Sequence, residues 1–181
     1  MKSENTLLLI KALSFSADKH RNQRRKDADS TPYINHPINV VLTLMEIGKE
    51  NKSNLLVAAA LHDTIEDTET KPEEIEKLFG KKVLAILNEV TDDKKLPKAE
   101  RKQLQVTNAP HKSSKAKKLK LADKICNITD ILNSPPADWS KERKLDYLSW
   151  AEKVADGLKG SNQRLEKHLA KLIAHGRKDF N

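Results

Sequence analysis

Cysteine is nearly absent from this chain of 181 residues: Cys126 stands alone, which excludes an internal disulfide framework and suits a reducing compartment. Glycine occurs only five times and aromatic residues make up 4% of the chain, too few for a turn-rich sandwich of aromatic and β-branched strands. No apolar run approaches the roughly 20 residues of a membrane-spanning helix. The first segment, MKSENTLLLIKALSF, has a short broken apolar run and no clear cleavage site, so no secretory signal is expected. Internal repeats and low-complexity linkers are also missing. These absences together predict one helical domain in the cytoplasm, built from the plentiful Leu, Ala, Lys and Glu.

Charge is present in quantity. Lys and Arg number 34 against 26 Asp and Glu, a net +8. Such an excess serves a nucleic-acid surface, a pocket for a small and highly anionic ligand, or simply a solvated surface. The densest basic run, HKSSKAKKLKLADK, has no interleaved aromatics, and helical spacing scatters its lysines around the axis. It therefore predicts no nucleic-acid face. No membrane partner is expected, and nothing in the residues fixes an oligomeric state.

Apolar periodicity divides the chain into helices. The first runs over 4–22, with Leu8, Ala12, Phe15 and Lys19 on one face. After a loop at 27–33, NHPINVVLTLMEIG opens a second helix with Pro37 in its first turn and Gly48 at its end. SNLLVAAALHDTIED is read as one continuous third helix capped by Ser53. KPEEIEKLFG and KKVLAILNEVT follow, then a polar stretch (92–113) around a short helix at 98–106. A strong helix over 115–133 and two more, KERKLDYLSWAEKVADGLKG and NQRLEKHLAKLIAHG, complete an all-α, irregular multi-helix bundle.

The chemistry concentrates where the third helix ends. In HDTIED, helical spacing puts Asp63 beside Glu66 and Asp67, and His62 beside Glu66. Like charges so close need a divalent metal or an arginine cluster among them. Histidine with carboxylates suits Mn²⁺, Fe²⁺ or Zn²⁺, and the lack of cysteine partners argues against structural zinc. Taken alone, a His–Asp pair is an ordinary frayed helix end. Two distant residues join it. His36 sits at the stiff His–Pro entry of the second helix, and Asp123 lies between Leu119, Ala122 and Cys126. A buried carboxylate is costly unless paired or metal-bound, and the simplest local partner for Asp123 is Lys120 at i−3. Asn127 and Asp130 extend the same stripe, and RNQRRKD supplies Arg21, Arg24, Arg25 and Lys26. Tyr33, Tyr147, Lys98 and Arg101 are weaker candidates at a pocket, while His20, His111, His168 and His175 read as surface.

His36, His62–Asp63 and Asp123 together resemble the H…HD…D signature of the HD metal-dependent phosphohydrolases. RRKD…TPYINHP, ALHDTIEDT, EVTDDK and KLADKICNITD narrow this to the hydrolase domain of RelA/SpoT proteins, of the stand-alone small alarmone hydrolase type. The resemblance runs from about residue 5 to GLKGSNQRLEKHL. It implies a single HD-type domain over 1–181, with a metal-site core at about 32–133 and C-terminal helices at 140–175. It also implies a Mn²⁺-dependent hydrolase that removes the 3′-pyrophosphate of ppGpp or pppGpp. His36, His62, Asp63 and Asp123 match the metal ligands, and Glu66 and Asp67 the acids beside the attacking water. Arg25, Lys26 and Asn127 match nucleotide positions, and Tyr147 is added as a substrate contact. The alternative keeps the metal and changes the substrate to another nucleotide bearing a 2′- or 3′-phosphate. Cys126 and Thr129 depart from the family pattern beside Asp123, and Cys126 is expected to be a buried, inert thiol.

Overall fold

Helix follows helix along the chain in the computed structural model, which describes residues 3–180. The elements are α1 (Ser3–Lys19), α2 (Asn35–Glu46), α3 (Ser53–Leu61), α4 (Thr64–Asp67), α5 (Pro72–Phe79), α6 (Lys81–Val90), α7 (Lys98–Asn108), α8 (Ser114–Asn133), α9 (Lys141–Leu158) and α10 (Gln163–Phe180). Among the described residues the only β pairing is an isolated bridge between Arg24 and Pro32. The architecture is all-α, as the composition predicts.

Two helices are buried on every side. Leu55 to Leu61 of α3 are all inaccessible, and α3 packs against α1, α2, α6 and α8. Its run of alanines lets those neighbours approach closely, and a helix apolar all round belongs inside a core. The middle of α8, Leu119 to Cys126, is buried throughout, including Lys120, Asp123 and Lys124. Its neighbours are α2, α3, α6, α9 and α10. Its lysines at 120 and 124 are buried because α9 and α10 cover this helix.

Several boundaries differ from the periodicity reading. α1 stops at Lys19, and its buried edge is Leu9, Ala12 and Ser16, with Leu8, Phe15 and Lys19 half-buried beside it. The third helix does not run on to Asp67. It breaks at His62–Asp63 and restarts as the single turn of α4. Ser53 is not its cap: Lys52 holds that position, and the Ser53 hydroxyl is buried without a partner. α7 is longer than expected, reaching Asn108 before a 3₁₀ turn at Ala109–His111. α10 passes through Gly176, which lies inside the helix where a Cβ would come within 2.9 Å of Leu148 Cδ1. Here glycine serves close packing against α9, not helix termination.

The loop joining α1 to α2 folds back on itself. Arg25 N donates to Thr31 O (2.8 Å) and Tyr33 N to Gln23 O (3.1 Å), so Arg25 and Tyr33 are presented together. At the far end, Asn162 Oδ1 accepts from Arg164 N and Leu165 N (3.1 and 3.2 Å), capping α10. Its Nδ2 donates to Gly48 O at 2.9 Å, tying α10 to the end of α2. Asn162→Ala removes both, and we expect a loss of about 1–2 kcal/mol in equilibrium denaturation, with metal binding unchanged.

Candidate metal centre and its two cavities

Three ligand-type side chains from three separated helices converge. One nitrogen of His36, one of His62 and one oxygen of Asp123 lie within 4.8 Å of one another, and all three residues are buried. Pro37 is buried in the first turn of α2 and fixes the approach of His36. The break after α3 turns His62 and Asp63 inward at its C-terminus. His36 Nε2 is 3.3 Å from Asp123 Oδ1 and 3.8 Å from Asp63 Oδ2. His62 Nε2 is 3.1 Å from Asp63 Oδ2 and 3.9 Å from Asp123 Oδ1. Asp63 thus borders the same point.

The surroundings orient these groups. His62 Nδ1 bonds to Ala59 O at 2.8 Å, which turns Nε2 toward the carboxylates; Nε2 is buried and makes no hydrogen bond. A backbone carbonyl on the far nitrogen is how metal-binding histidines are usually held. Tyr33 donates its hydroxyl to Asp63 Oδ2 at 2.7 Å. Asn127 Nδ2 donates to Asp123 Oδ1 at 2.6 Å, and Lys124 Nζ to Asp123 Oδ2 at 3.0 Å. The expected local partner, Lys120, is not the one that pairs with Asp123. Lys124 does so because its ammonium is held over Trp150, 4.7 Å from the ring centroid.

Charge is balanced tightly. Burial favours the neutral acid at Asp123, yet the Lys124 ammonium and the hydrogen bond with His36 hold its carboxyl well below the usual range. Asp63 is likewise held low, against burial, chiefly by His62. Burial opposes charge on His62 as well, but Asp63 and Asp123 outweigh it and push its pKa up to about 9. A cluster that captures a proton this firmly has the electrostatics to hold a cation. Two imidazoles with two carboxylates fit a divalent transition ion, and no thiolate is at hand: Cys126 is buried against Thr43 (3.3 Å), its pKa pushed up to about 12 mainly by burial.

Two cavities lie next to residues bound to this cluster or following it in the chain, Tyr33 and Asn127 in the first and Glu66 in the second, and they share Trp139 and Tyr147 as a common wall. The first, about 440 Å³, is lined by Arg25, Lys26, Tyr33, Asp67 and Asn127, among others. All four predicted substrate contacts, Arg25, Lys26, Asn127 and Tyr147, border it. Arg25 bridges Asn127 Oδ1 (3.1 Å) and Asp130 Oδ2 (2.5 Å) and lies over the Tyr33 ring. The second cavity, about 410 Å³, gathers Lys98, Arg101, Lys102 and Arg143 beside Glu66. The two predicted acids therefore face different spaces. Glu66 accepts from Asp92 N at 3.0 Å, and Arg101 stands 3.8 Å away. Burial, outweighing that hydrogen bond, raises the pKa of Glu66. Asp67 is bonded by Gln23 at 3.1 Å and by Lys94.

Sequence reasoning missed several residues here. Trp139 lies in the connection between α8 and α9 and carries no pattern of its own, though it is one of only two tryptophans in the chain. Lys102, Arg143 and Lys124 carried no signal beyond their charge. His20 was assigned to the surface and is instead buried, stacked on Tyr33 with ring centroids 4.8 Å apart. Its burial comes from the loop closing over the end of α1, which periodicity within α1 does not register. Of the other histidines, His111 and His175 are exposed and His168 is half-buried.

A family profile described as HD domain matches residues 12–148. A Danio rerio protein named guanosine-3′,5′-bis(diphosphate) 3′-pyrophosphohydrolase MESH1 is 48% identical over 173 residues, covering 96% of each chain. The Homo sapiens protein of the same name is 51% identical over 165 residues, covering 91% of this chain and 92% of its own. A solved structure, described as a metazoan orthologue of SpoT that hydrolyses ppGpp, superposes with a TM-score of 0.90 at 45% identity, covering 93% of this chain and 94% of that one. Matched by the profile across its site-bearing helices and by these relatives almost end to end, the chain belongs to the HD-domain phosphohydrolases, in the group of the MESH1 proteins.

Proposed function

We propose that this protein is a Mn²⁺-dependent guanosine-3′,5′-bis(diphosphate) 3′-pyrophosphohydrolase, converting ppGpp or pppGpp to GDP or GTP and pyrophosphate. The observation that carries the reading is the meeting of His36, His62 and Asp123, with Asp63 alongside, near two cavities lined by basic side chains. The relatives' names supply the substrate class. His36, His62, Asp63 and Asp123 would hold the ion. When bound, such an ion acidifies water and offsets phosphoryl charge.

The chain's own groups do the rest. Glu66 has a raised pKa, and its nearest cation, Arg101, stands 3.8 Å off where Lys94 touches Asp67 directly, so Glu66 is the better proton acceptor for the attacking water. Asp67 is tied to Gln23 and Lys94, which suits orientation over proton transfer. Lys98, Arg101, Lys102 and Arg143 stand where negative charge on the phosphates needs stabilising. On the other side of the wall, Arg25, Lys26, Asn127 and Tyr147 receive the nucleoside portion, with the arginine plane available for stacking on a purine. Trp139 Nε1 is buried without an acceptor at this wall, a spare donor for a ligand.

The deciding experiment gives Mn²⁺-loaded protein a panel of nucleotides. Pyrophosphate released from ppGpp, and lost on chelation, is the expected result. Orthophosphate from a 2′- or 3′-phosphorylated nucleotide with ppGpp untouched would establish the alternative substrate. His62→Ala and Asp63→Ala each abolish metal binding in calorimetry and turnover with it. Glu66→Gln keeps the metal and lowers kcat by about 10²–10⁴-fold; metal loss in step with rate would make Glu66 a ligand instead. Because His62 carries a proton below about pH 9 and the ion must displace it, Mn²⁺ affinity rises with pH up to that value, about tenfold per unit. A flat titration between pH 6 and about 8 contradicts the raised pKa of His62.

A further inference from the structure

His20 has no role in the chemistry above, yet it occupies a singular position. It is 2% exposed, and two chains of contacts leave it in different directions. Its ring stacks on Tyr33 at 4.8 Å with 30° between the planes, and the Tyr33 hydroxyl donates to Asp63 Oδ2 at 2.7 Å. Its Nδ1 lies 2.7 Å from Gln23 Oε1, and Gln23 Nε2 donates to Asp67 Oδ2 at 3.1 Å. One buried ring thus supports two acids that face different parts of the site.

Donor and acceptor bookkeeping gives the second chain a definite polarity. An ionised carboxylate only accepts, so the amide nitrogen of Gln23 must face Asp67. Its oxygen then faces His20, and Nδ1 must carry the hydrogen. A phenylalanine in this space would stack equally well but leave Gln23 Oε1 without its donor, free to rotate away from Asp67. Nor does the core call for an imidazole: His20 Nε2 is buried with no partner, a cost that an apolar side chain would avoid. On the same edge of α1, Leu9 and Ala12 are apolar and Ser16, one turn before His20, is small. On its other side Asp67 meets Lys94, whose side chain is half exposed, so the less exposed restraint on this acid is Gln23.

We infer that His20 is a positioning residue, acting through Tyr33 on Asp63 and through Gln23 on Asp67, so that a metal ligand and a water-orienting acid are set by one side chain. The inference rests on the roles proposed above for those two acids.

The test uses the full chain loaded with Mn²⁺ and measures metal affinity by calorimetry, kcat and KM for ppGpp hydrolysis, and thermal stability. His20→Phe keeps the stack and cuts the Gln23 branch. It should lower kcat about tenfold with KM and Mn²⁺ affinity unchanged. Gln23→Leu should do the same, and the double variant should be no slower than either single one, because both cut the same chain. His20→Leu also removes the stack and should weaken Mn²⁺ binding about tenfold. Wild-type kcat in His20→Phe, or losses that multiply in the double variant, overturns the inference. If the His20 variants fail to fold, Gln23→Leu decides alone, and an unchanged kcat there is refutation. Wild-type protein that binds no Mn²⁺ or leaves ppGpp intact sinks the functional reading and this one together, and does so before any substitution is made.

Discussion

Two carboxylates and two imidazoles crowd together where little water reaches, and that crowding constrains everything around it. Moving ionised groups out of water is expensive, and leaving one unpaired inside a protein is worse. The chain meets this demand with a cation and hydrogen-bond donors placed at both carboxylates. Lys124 and Asn127 serve Asp123, and Tyr33 serves Asp63. The price of the arrangement is that several residues around it lose their freedom to vary. Lys124 must reach both Asp123 and the Trp150 ring, and Asn127 must serve Asp123 on one side and Arg25 on the other.

Burial of whole helices makes such placement reproducible. α3 and α8 are enclosed on all sides, so the side chains projecting from them have few rotamers to choose from. The alanines of α3 bring α8 close enough for Asp123 to meet His62. The break at His62–Asp63 then redirects the chain, sending Asp63 toward the imidazoles and Glu66 and Asp67 toward opposite cavities. A straight helix through this point would stack the three acids on one another at i+3 and i+4, where their repulsion would have no relief.

What could be read from the residues was local. His62 and Asp63 announced themselves by ending an apolar run in charge, and Asp123 by sitting among Leu119, Ala122 and Cys126. The helix-rich composition led correctly to an all-α architecture. The illegible features depend on parts of the chain far apart. No glycine or proline marks the break after Leu61, where the Thr64 hydroxyl donates to Leu61 O at 2.7 Å. Lys120 was the natural i−3 partner for Asp123, but tertiary contact with Trp150 selects Lys124. His20 reads as a surface residue because its cover, the Tyr33 loop, is brought there only by folding.

The aromatic partition between the two cavities has an effect on selectivity by molecular reach. Trp139 and Tyr147, with ring centroids 5.7 Å apart, contribute to both spaces at once. A compound long enough to straddle them gains from each compartment, whereas a shorter one settles for half. A change at either ring therefore alters both compartments together, and discrimination between short and long ligands is written into a single shared boundary.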